Sequence, residues 1–535
     1  MPHNTHPAPP IDLLVIGGGI NGCGIARDAV GRGLSVMLCE MGDLGQATSS
    51  ASTKLFHGGL RYLEYFQFRL VREALAEREV LLRNMPHISW PMRFVLPLHP
   101  DMRFDSETPA SRLLAWVAPW AKGRRPAWLI RLGLFLYDHL GQRQTLPATR
   151  RLALHNSPEG APLQPQFSQA FEYSDCWVQD SRLVSLNARD AAERGARICT
   201  RTRVVAAQRG DTHWDVTLQD TKTGTQHVVQ ARMLVNAAGP WAAQVLGQVL
   251  QQNSPDRLRL VRGSHIVTRR LFAHEKAYFF QGSDGRIIFA IPYEQEFTLI
   301  GTTDANHDSA DTAPQCTEAE QDYLLAFASQ YFKTPLTPAD IVWQFSGMRP
   351  LHDDGGQSAS AITRDYSLKL DDSAAPVLHV FGGKITTYRR LAEKALAHIL
   401  PALQTTAPNW THDAPLPGGA FAVGDASKLM AQLGTRYGFL GPDWAARLVR
   451  AYGLDAQRIL GQATHQADLG IDFGASLTQA EVDWLVAHEF AQTADDILWR
   501  RTRLGLKMPA QGKAALETYL QGLDGGAKGL AQSAA

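Results

Sequence analysis

Residues 11–22 read Ile-Asp-Leu-Leu-Val-Ile-Gly-Gly-Gly-Ile-Asn-Gly, and the next apolar run, Leu34 to Cys39, closes on Glu40. An apolar strand that runs straight into a glycine-rich turn and then a helix is the setting in which G-x-G-x-x-G binds a dinucleotide. Gly17 allows the tight turn, Gly19 has no Cβ to obstruct a pyrophosphate, and Gly22 lets the helix pack close to the strand. The pyrophosphate would rest on free N–H groups at the start of a helix from Ile20 to Val30, where the helix dipole favours an anion. Glu40 follows Gly22 by about 18 residues, where a carboxylate accepts hydrogen bonds from an adenosine ribose. Strand, turn, helix and acid together point to a redox enzyme.

At 535 residues the chain is too long for one core, and ordinary domain sizes suggest about two to four domains. Hydrophobic residues make up 44% and charged residues 20%, the balance of a soluble globular protein. A net charge of +1 supplies no global field for nucleic acid, so none is expected as a partner. The five cysteines, Cys23, Cys39, Cys176, Cys199 and Cys316, have no C-x-x-C spacing. That argues against a disulfide framework and a zinc site, and no metal is expected. Residues 1–10 lack both a basic start and an apolar core, and read as a disordered lead-in. No run of eighteen uncharged apolar residues occurs, so membrane contact would be peripheral.

The apolar pattern through Leu70, Leu75, Val80 and Leu82 reads as a long helix ended by Pro86. Strand signals recur at Arg203 to Ala206, Trp214 to Leu218 and Arg232 to Gly239. Alternating runs at 258–269, 286–292 and 297–301 predict an antiparallel sheet beside the nucleotide domain. A late strand, Val377 to Phe381, meets Gly382-Gly383 and a helix from about Thr386 to Ile399. The nucleotide-binding domain is therefore expected to be discontinuous within 11–407, at about 11–95, 150–250 and 345–407, with inserted regions at about 96–149 and 251–344. Residues 408–419, rich in proline and glycine, read as a linker, and 420–535 as a helical domain with a disordered tail from Gly525.

Several distant pieces are suited to surround one extended cofactor. Thr48, Ser49 and Ser50 supply hydroxyls soon after Glu40. Gly239, ending a buried strand, lets backbone approach a ligand. Gly383 and Lys384 precede a helix N-terminus, which would stabilise the negative charge of a reduced flavin. Their conjunction favours FAD over a nicotinamide.

Longer motifs extend this reading. They include Ser49-Ser50-Ala51-Ser52-Thr53-Lys54-Leu55-Phe56-His57-Gly58-Gly59-Leu60-Arg61-Tyr62-Leu63-Glu64 and Phe171 to Trp177. Further along come Arg262-Gly263-Ser264-His265-Ile266-Val267, Ile300 to Asp304, Ser346 to Leu351, Ala361 to Tyr366, Phe381 to Arg389 and Asp495 to Thr502. In this order they resemble the FAD-dependent respiratory glycerol-3-phosphate dehydrogenases of bacteria. The resemblance implies an α/β fold: a Rossmann-like FAD-binding domain, an antiparallel substrate sheet like that of glycine and amino-acid oxidases, and a C-terminal helical domain. It implies oxidation of sn-glycerol 3-phosphate to dihydroxyacetone phosphate by hydride transfer from C2 to N5 of non-covalent FAD, with electrons passed to a membrane quinone. It also implies a peripheral location on the cytoplasmic side of the inner membrane. Lys54, His57, Gly58, Gly59, Val204, Trp241, Gly347, Ile385 and Thr386 join the expected cofactor contacts on the same basis.

The substrate is a small dianion, and guanidinium forks match phosphate oxygens. Arg61, Arg349 and Lys384 are the cations in motifs that would reach the flavin. A carboxylate-binding amino-acid oxidase needs only one such clamp. On residues alone His265 reads as a satisfied strand histidine. The resemblance makes it the general base for the C2 hydroxyl, with Tyr62 and Thr303 hydrogen-bonding substrate oxygens. Competing readings are an oxidase passing electrons to oxygen, an amine or amino-acid oxidase of the same fold, and a non-catalytic FAD- or NAD-binding module.

Residues 113–137 carry Trp116, Trp120 and Trp128, the cations Lys122, Arg124, Arg125 and Arg131, and no acid until Asp138. Tryptophan favours the headgroup region and cations attract anionic lipid, so the segment is suited to docking on a membrane. A buried helical hairpin or a homodimer contact is the alternative on sequence alone. Residues 101–123 read as an extension relative to the family.

Overall fold

The computed structural model describes residues 9–99, 102–104, 108–117, 123–141, 143–252, 258–282, 285–352 and 366–533. The opening motif folds as strand β1 (Ile11–Ile16), helix α1 (Ile20–Gly31) and strand β2 (Val36–Cys39). Leu13, Leu14 and Val15 are fully buried, because β1 lies inside a parallel sheet covered on both faces. The strands run in the order Ser367–Asp371, Val377–Phe381, Gln226–Asn236, β1, β2, Arg197–Cys199, with the hairpin Thr202–Arg209/Trp214–Asp220 attached to Gln226–Asn236. All neighbouring pairs on that path are parallel except Ser367–Asp371 with Val377–Phe381.

Helix α1 packs against helices Asp180–Glu193 and Tyr388–Ala402 on one face of the sheet. Leu13, Val15, Ile25, Leu38, Val184, Val235, Leu378 and Leu391 fill the space between. Gly17 takes φ +110°, and a Cβ there would stand 2.6 Å from the carbonyl oxygen of Ala237. A Cβ on Gly22 would stand 2.0 Å from the carbonyl oxygen of Gly17. The turn therefore closes only with glycine at both places.

The second sheet has ten strands, all antiparallel neighbours apart from Ala277–Gln281 beside Ser89–Pro97. Its centre of pairing is the long strand Leu258–Arg269, which meets Phe297–Gly301 on one side, Ile341–His352 on the other, and Ala305–His307 at its start. The two sheets do not divide the chain where the sequence suggests. Leu55–Phe56, Ser89–Pro97, Arg150–Ala153, Gln169–Val178 and Ile341–His352 all belong to the second sheet, although their numbers fall in or beside stretches expected in the nucleotide-binding part. Strand periodicity says that a segment pairs, not with what.

Beyond Pro408 lie helices Ala426–Arg436, Pro442–Tyr452, Gln479–Glu489 and Ala510–Ser533, with a short unanticipated hairpin, Asp472–Gly474 and Leu477–Thr478. The last helix runs through the tail expected to be disordered. No proline interrupts residues 511–533, and extending an existing helix needs no new nucleus. Buried charges fasten this part to the rest. Arg501 meets Asp43, just after β2, at 2.8 Å with both side chains fully buried; Arg182 pairs with Glu489 and Arg189 with Asp455. Burial alone would raise the Asp43 carboxyl, but Arg501 and Arg500 hold it down at about 2.

Candidate active site

The fingerprint turn, the 48–62 segment and the 382–387 segment converge at the N-terminus of α1. Gly19 heads the helix with no side-chain cap on it. Ser49 Oγ accepts the Ile20 N–H at 3.0 Å. Asn21 Nδ2 donates to the Gly382 carbonyl at 3.0 Å, and its Oδ1 is buried without a hydrogen-bond partner among the described residues. Glu40 accepts from the N–H of Gly18 at 2.7 Å and of Gly42 at 2.8 Å; burial raises its carboxyl, and these two donors oppose the rise. A helix N-terminus headed by glycine above a glycine turn, an orphaned buried amide oxygen and an oriented carboxylate fit the pyrophosphate and ribose of FAD.

Several expected cofactor residues have other partners. Thr48 Oγ1 donates to the Met348 carbonyl at 2.6 Å, and Ser50 Oγ to the Ala47 carbonyl at 3.3 Å. These bonds tie the loop to Ile341–His352 and to itself. Lys54 is fully buried on Asp180, with Nζ–Oδ2 3.1 Å. Trp241 Nε1 donates to Asp311 at 3.2 Å, in the turn that Gly239 opens at φ +57°. Val204 is buried in its strand two residues past Thr202, whose N–H bonds the Glu40 carbonyl at 2.8 Å. The His57 N–H donates to Thr386 Oγ1 at 3.3 Å, which joins two of the converging segments. Ile385 packs at the edge of the first core. Gly58 N–H donates to the Tyr137 hydroxyl at 2.7 Å, and Gly59 takes φ +75° against the Tyr62 ring. Gly347 lies against Ala51.

The residues expected to bind substrate form two clusters linked by residues 53–62. In one, the Lys384 ammonium lies 3.9 Å from the centre of the Tyr62 ring, an attractive cation–π approach. In the other, sheet register does the positioning. His265 is the direct cross-strand partner of Gly301 on one side and Phe345 on the other. Its ring stacks on Phe345, centroids 4.8 Å apart and planes 10° from parallel. Gly301 leaves the room that the ring occupies, since a Cβ there would be 2.1 Å from Cδ2. His265 Nε2 meets Thr53 Oγ1 at 3.0 Å, while Nδ1 is buried without a hydrogen-bond partner among the described residues. Burial, then Lys54 and Arg349, push its pKa well below the usual imidazole range, against a smaller opposing pull from Asp180. The ring is neutral at neutral pH and can accept a proton.

Side chains alternate between faces of a strand, which sorts the residues of Leu258–Arg269 and Ile341–His352; Thr302 and Thr303 follow the end of Phe297–Gly301, and their own hydrogen bonds place them. Positions 263 and 265 share a face with 347 and 349. Arg349 Nη2 donates to Thr302 Oγ1 at 3.1 Å and pairs with Asp304. Ser264 and Ser346 point to the other face, where their hydroxyls meet at 2.8 Å. Thr303 belongs with them: it accepts from Ser264 N–H at 2.9 Å and donates to Glu320 at 2.7 Å. The expected substrate role of Thr303 is corrected on this ground, because its hydroxyl is consumed in a buried network. Thr302 and Thr53 are the hydroxyls beside Arg349 and His265. Neither was legible in the sequence: alternation counted from Gly301, the cross-strand partner of His265, would have favoured Thr303 over Thr302, and nothing local marks Thr53.

Arg61 lies in the wall of an apolar pocket of about 290 Å³. Leu63, Phe66, Leu114, Trp128, Leu132 and Phe279 line the same pocket. Helices Pro109–Val117 and Ala127–Leu140 form its outer side. Ile130, Leu134 and Tyr137 face inward, whereas Trp116 is 82% exposed, Trp128 56% and Phe135 56%. Arg69, Arg72, Arg112, Arg124 and Arg131 are exposed nearby. Arg125, expected to face lipid, is instead buried on Glu64 at 2.9 Å. Trp120 and Lys122 lie outside the described residues, as do residues 361–365 of the quoted motif. No helix among the described residues is long and apolar enough to cross a membrane.

Comparison with known proteins bears on this geometry. The model of the FAD dependent oxidoreductase family matches residues 12–389, and that of the C-terminal domain of alpha-glycerophosphate oxidase matches 409–524. The D-erythritol 1-phosphate dehydrogenase of Brucella abortus is 49% identical over 508 residues, 94% of this chain and 96% of that one. The aerobic glycerol-3-phosphate dehydrogenase of Escherichia coli is 47% identical over 511 residues, 95% and 97% of the two chains. The X-ray structure of the glycerol-3-phosphate dehydrogenase of Bacillus halodurans complexed with FAD superposes with a TM-score of 0.70 at 25% identity, covering 96% of this chain and 94% of that one.

Proposed function

Since the chain belongs to the FAD-dependent oxidoreductases, and within them to the glycerol-3-phosphate dehydrogenases, we propose that it oxidises sn-glycerol 3-phosphate to dihydroxyacetone phosphate and passes the electrons to a membrane quinone. FAD, when bound, supplies the two-electron acceptor for the hydride lost from C2. The observation that carries the reading is the enclosed His265 with Arg349 and Thr302 on its side of the sheet. His265 takes the C2 hydroxyl proton; a buried neutral imidazole is available for this at neutral pH. Arg349 binds the phosphate with a planar fork that a carboxylate substrate would need only once, and Lys384 adds a second cation. Thr302 fixes the orientation of Arg349, and Thr53 that of the imidazole.

The apolar face around Trp116, Trp128 and Phe135, ringed by arginines, supports a peripheral membrane site. The pocket beneath it, with Arg61 in its wall, supports entry of a quinone ring from the lipid side. Exposed tryptophans on this scale serve no buried hairpin.

An anaerobic spectrum of the purified protein tests the reading. Adding sn-glycerol 3-phosphate bleaches the flavin band and adding quinone restores it. A second reading, D-erythritol 1-phosphate as substrate, is favoured by the relative of that name at 49% identity. Both share a phosphate and a secondary alcohol, so the relative rates of bleaching decide between them. A flavin that neither compound bleaches refutes both.

A further inference from the structure

The loop that carries Thr53 is built around one buried carboxylate. Asp180, in the first turn of helix Asp180–Glu193, accepts from the Ser52 N–H at 3.1 Å, the Ser52 hydroxyl at 2.7 Å and Lys54 Nζ at 3.1 Å. Lys54 Nζ also donates to the Ser50 carbonyl at 3.0 Å. On its far side Asp180 pairs with Arg503, which belongs to the C-terminal part of the chain and also donates to the Tyr293 hydroxyl at 3.3 Å. Lys54 and Arg503 both adopt left-handed backbone, φ +64° and +59°. Non-glycine residues are held there only by their surroundings.

This cluster reaches His265 by two routes. Thr53, one residue from Lys54, bonds its Nε2. The Lys54 ammonium lies 4.8 Å from the centre of the Phe345 ring, whose own stack against His265 is 4.8 Å.

We propose that Asp180 and Arg503 are positioning residues for the oxidation, the C-terminal domain using Arg503 to set the place and the charge of the Thr53–Lys54–His265 group. The inference rests on the functional reading above, in which His265 accepts the substrate proton. Lys54 is the element through which charge is set. Burial pulls its pKa down to about 8; Asp180 opposes the fall, Arg503 adds to it, and Glu294 opposes it. Arg349 and Asp180 act directly on His265 from the other elements packed around it. A protonated Lys54 disfavours imidazolium, so the rate of flavin reduction rises as pH passes the Lys54 pKa.

The test is the pH profile of anaerobic flavin reduction by sn-glycerol 3-phosphate in the full-length holoenzyme, with FAD content and Tm measured on each variant. In the unaltered protein the rate rises through an inflection near pH 8. Arg503→Met removes a cation beside Lys54 and moves the inflection up by about one unit; Asp180→Asn removes the anion and moves it down by about one unit or more. Arg503→Lys keeps the charge and restores the unaltered profile. If Asp180→Asn loses FAD or fails to fold, the Arg503 pair alone decides. An inflection that stays put in Arg503→Met, or an Arg503→Lys profile no different from Arg503→Met, overturns the assignment while bleaching of the unaltered protein leaves the functional reading standing. An unaltered protein that neither polyol phosphate bleaches overturns both.

Discussion

Gly301→Ala is the sharpest probe of His265, because it adds one methyl group and removes no catalytic atom. The new Cβ would stand 2.1 Å from Cδ2 of His265, 2.8 Å from Cγ and 2.9 Å from Nε2. Carbon atoms rest about 3.5 Å apart or more, so the ring must move about 1.4 Å or the strands must part. Retreat is blocked by Phe345 on the opposite face, itself backed by the Lys54 ammonium that Asp180 holds. Overpacking of this kind costs about 1–3 kcal/mol of stability, which a protein with two large sheets tolerates. Displacement of a reacting group by about 1 Å costs about 10²-fold in rate, close to 2.7 kcal/mol of barrier at about 1.4 kcal/mol per decade. Anaerobic stopped-flow bleaching at saturating sn-glycerol 3-phosphate measures the loss, and a thermal scan confirms folding. The loss falls on the rate of reduction more than on the half-saturating concentration. A folded, FAD-loaded Gly301→Ala that reduces within twofold of the unaltered protein would remove His265 from the proton path.

His265→Ala slows flavin reduction more than it weakens substrate binding, as read from the concentration dependence of the same bleaching; unchanged reduction excludes the base. Asp43→Asn leaves the fully buried Arg501 without its carboxylate and costs about 3–5 kcal/mol in denaturant unfolding; a midpoint that does not move would show that the pair is idle. Asp43 and Asp180 both sit near 2 when folded, for Asp180 because Lys54 and Arg503 outweigh the rise that burial causes. A depressed folded pKa gives stability that is complete above the unfolded value near 3.9 and is lost as pH falls towards 2. Urea midpoints therefore drop between about pH 5 and pH 2, and the drop is shallower in Asp43→Asn. Trp116→Glu reduces co-sedimentation with anionic lipid vesicles and leaves substrate bleaching in detergent unchanged; undiminished sedimentation would move the membrane site elsewhere.

The parts of this protein that sequence makes legible are the local ones. Strand, glycine turn, helix and Glu40 lie within about thirty residues, and each step of that motif has a steric reason. The strands of the second sheet are legible as strands, since alternation needs no partner. Their order is not, because pairing of Leu258–Arg269 with Phe297–Gly301 and Ile341–His352 joins residues far apart in the chain. Thr303 misleads for a different reason: it lies past the end of Phe297–Gly301, where alternation no longer tells which hydroxyl faces His265. Arg125 reads by its charge and Lys54 by its motif, but Glu64 and Asp180, the acids that pair with them, are 61 and 126 residues away. His265 was legible as a candidate and not as a neutral, enclosed ring, a state produced by Phe345, Gly301 and Lys54 together.

The interleaving of the first sheet also has a cost in time. A ribosome delivers β1, β2 and Gln226–Asn236 early, yet Val377–Phe381, which covers the open side of Gln226–Asn236, follows roughly 145 residues later, about 7 to 30 s at common rates of synthesis. For that interval the nascent chain carries the bare edge of an apolar parallel sheet, the kind of edge that recruits other strands. The cofactor's helix cap at Lys384 arrives in the same late segment, and Arg503 later still. Flavin capture is thus a near-terminal event in the life of each new molecule, and a chain released before residue 381 keeps a sticky half-sheet with no means of closing it.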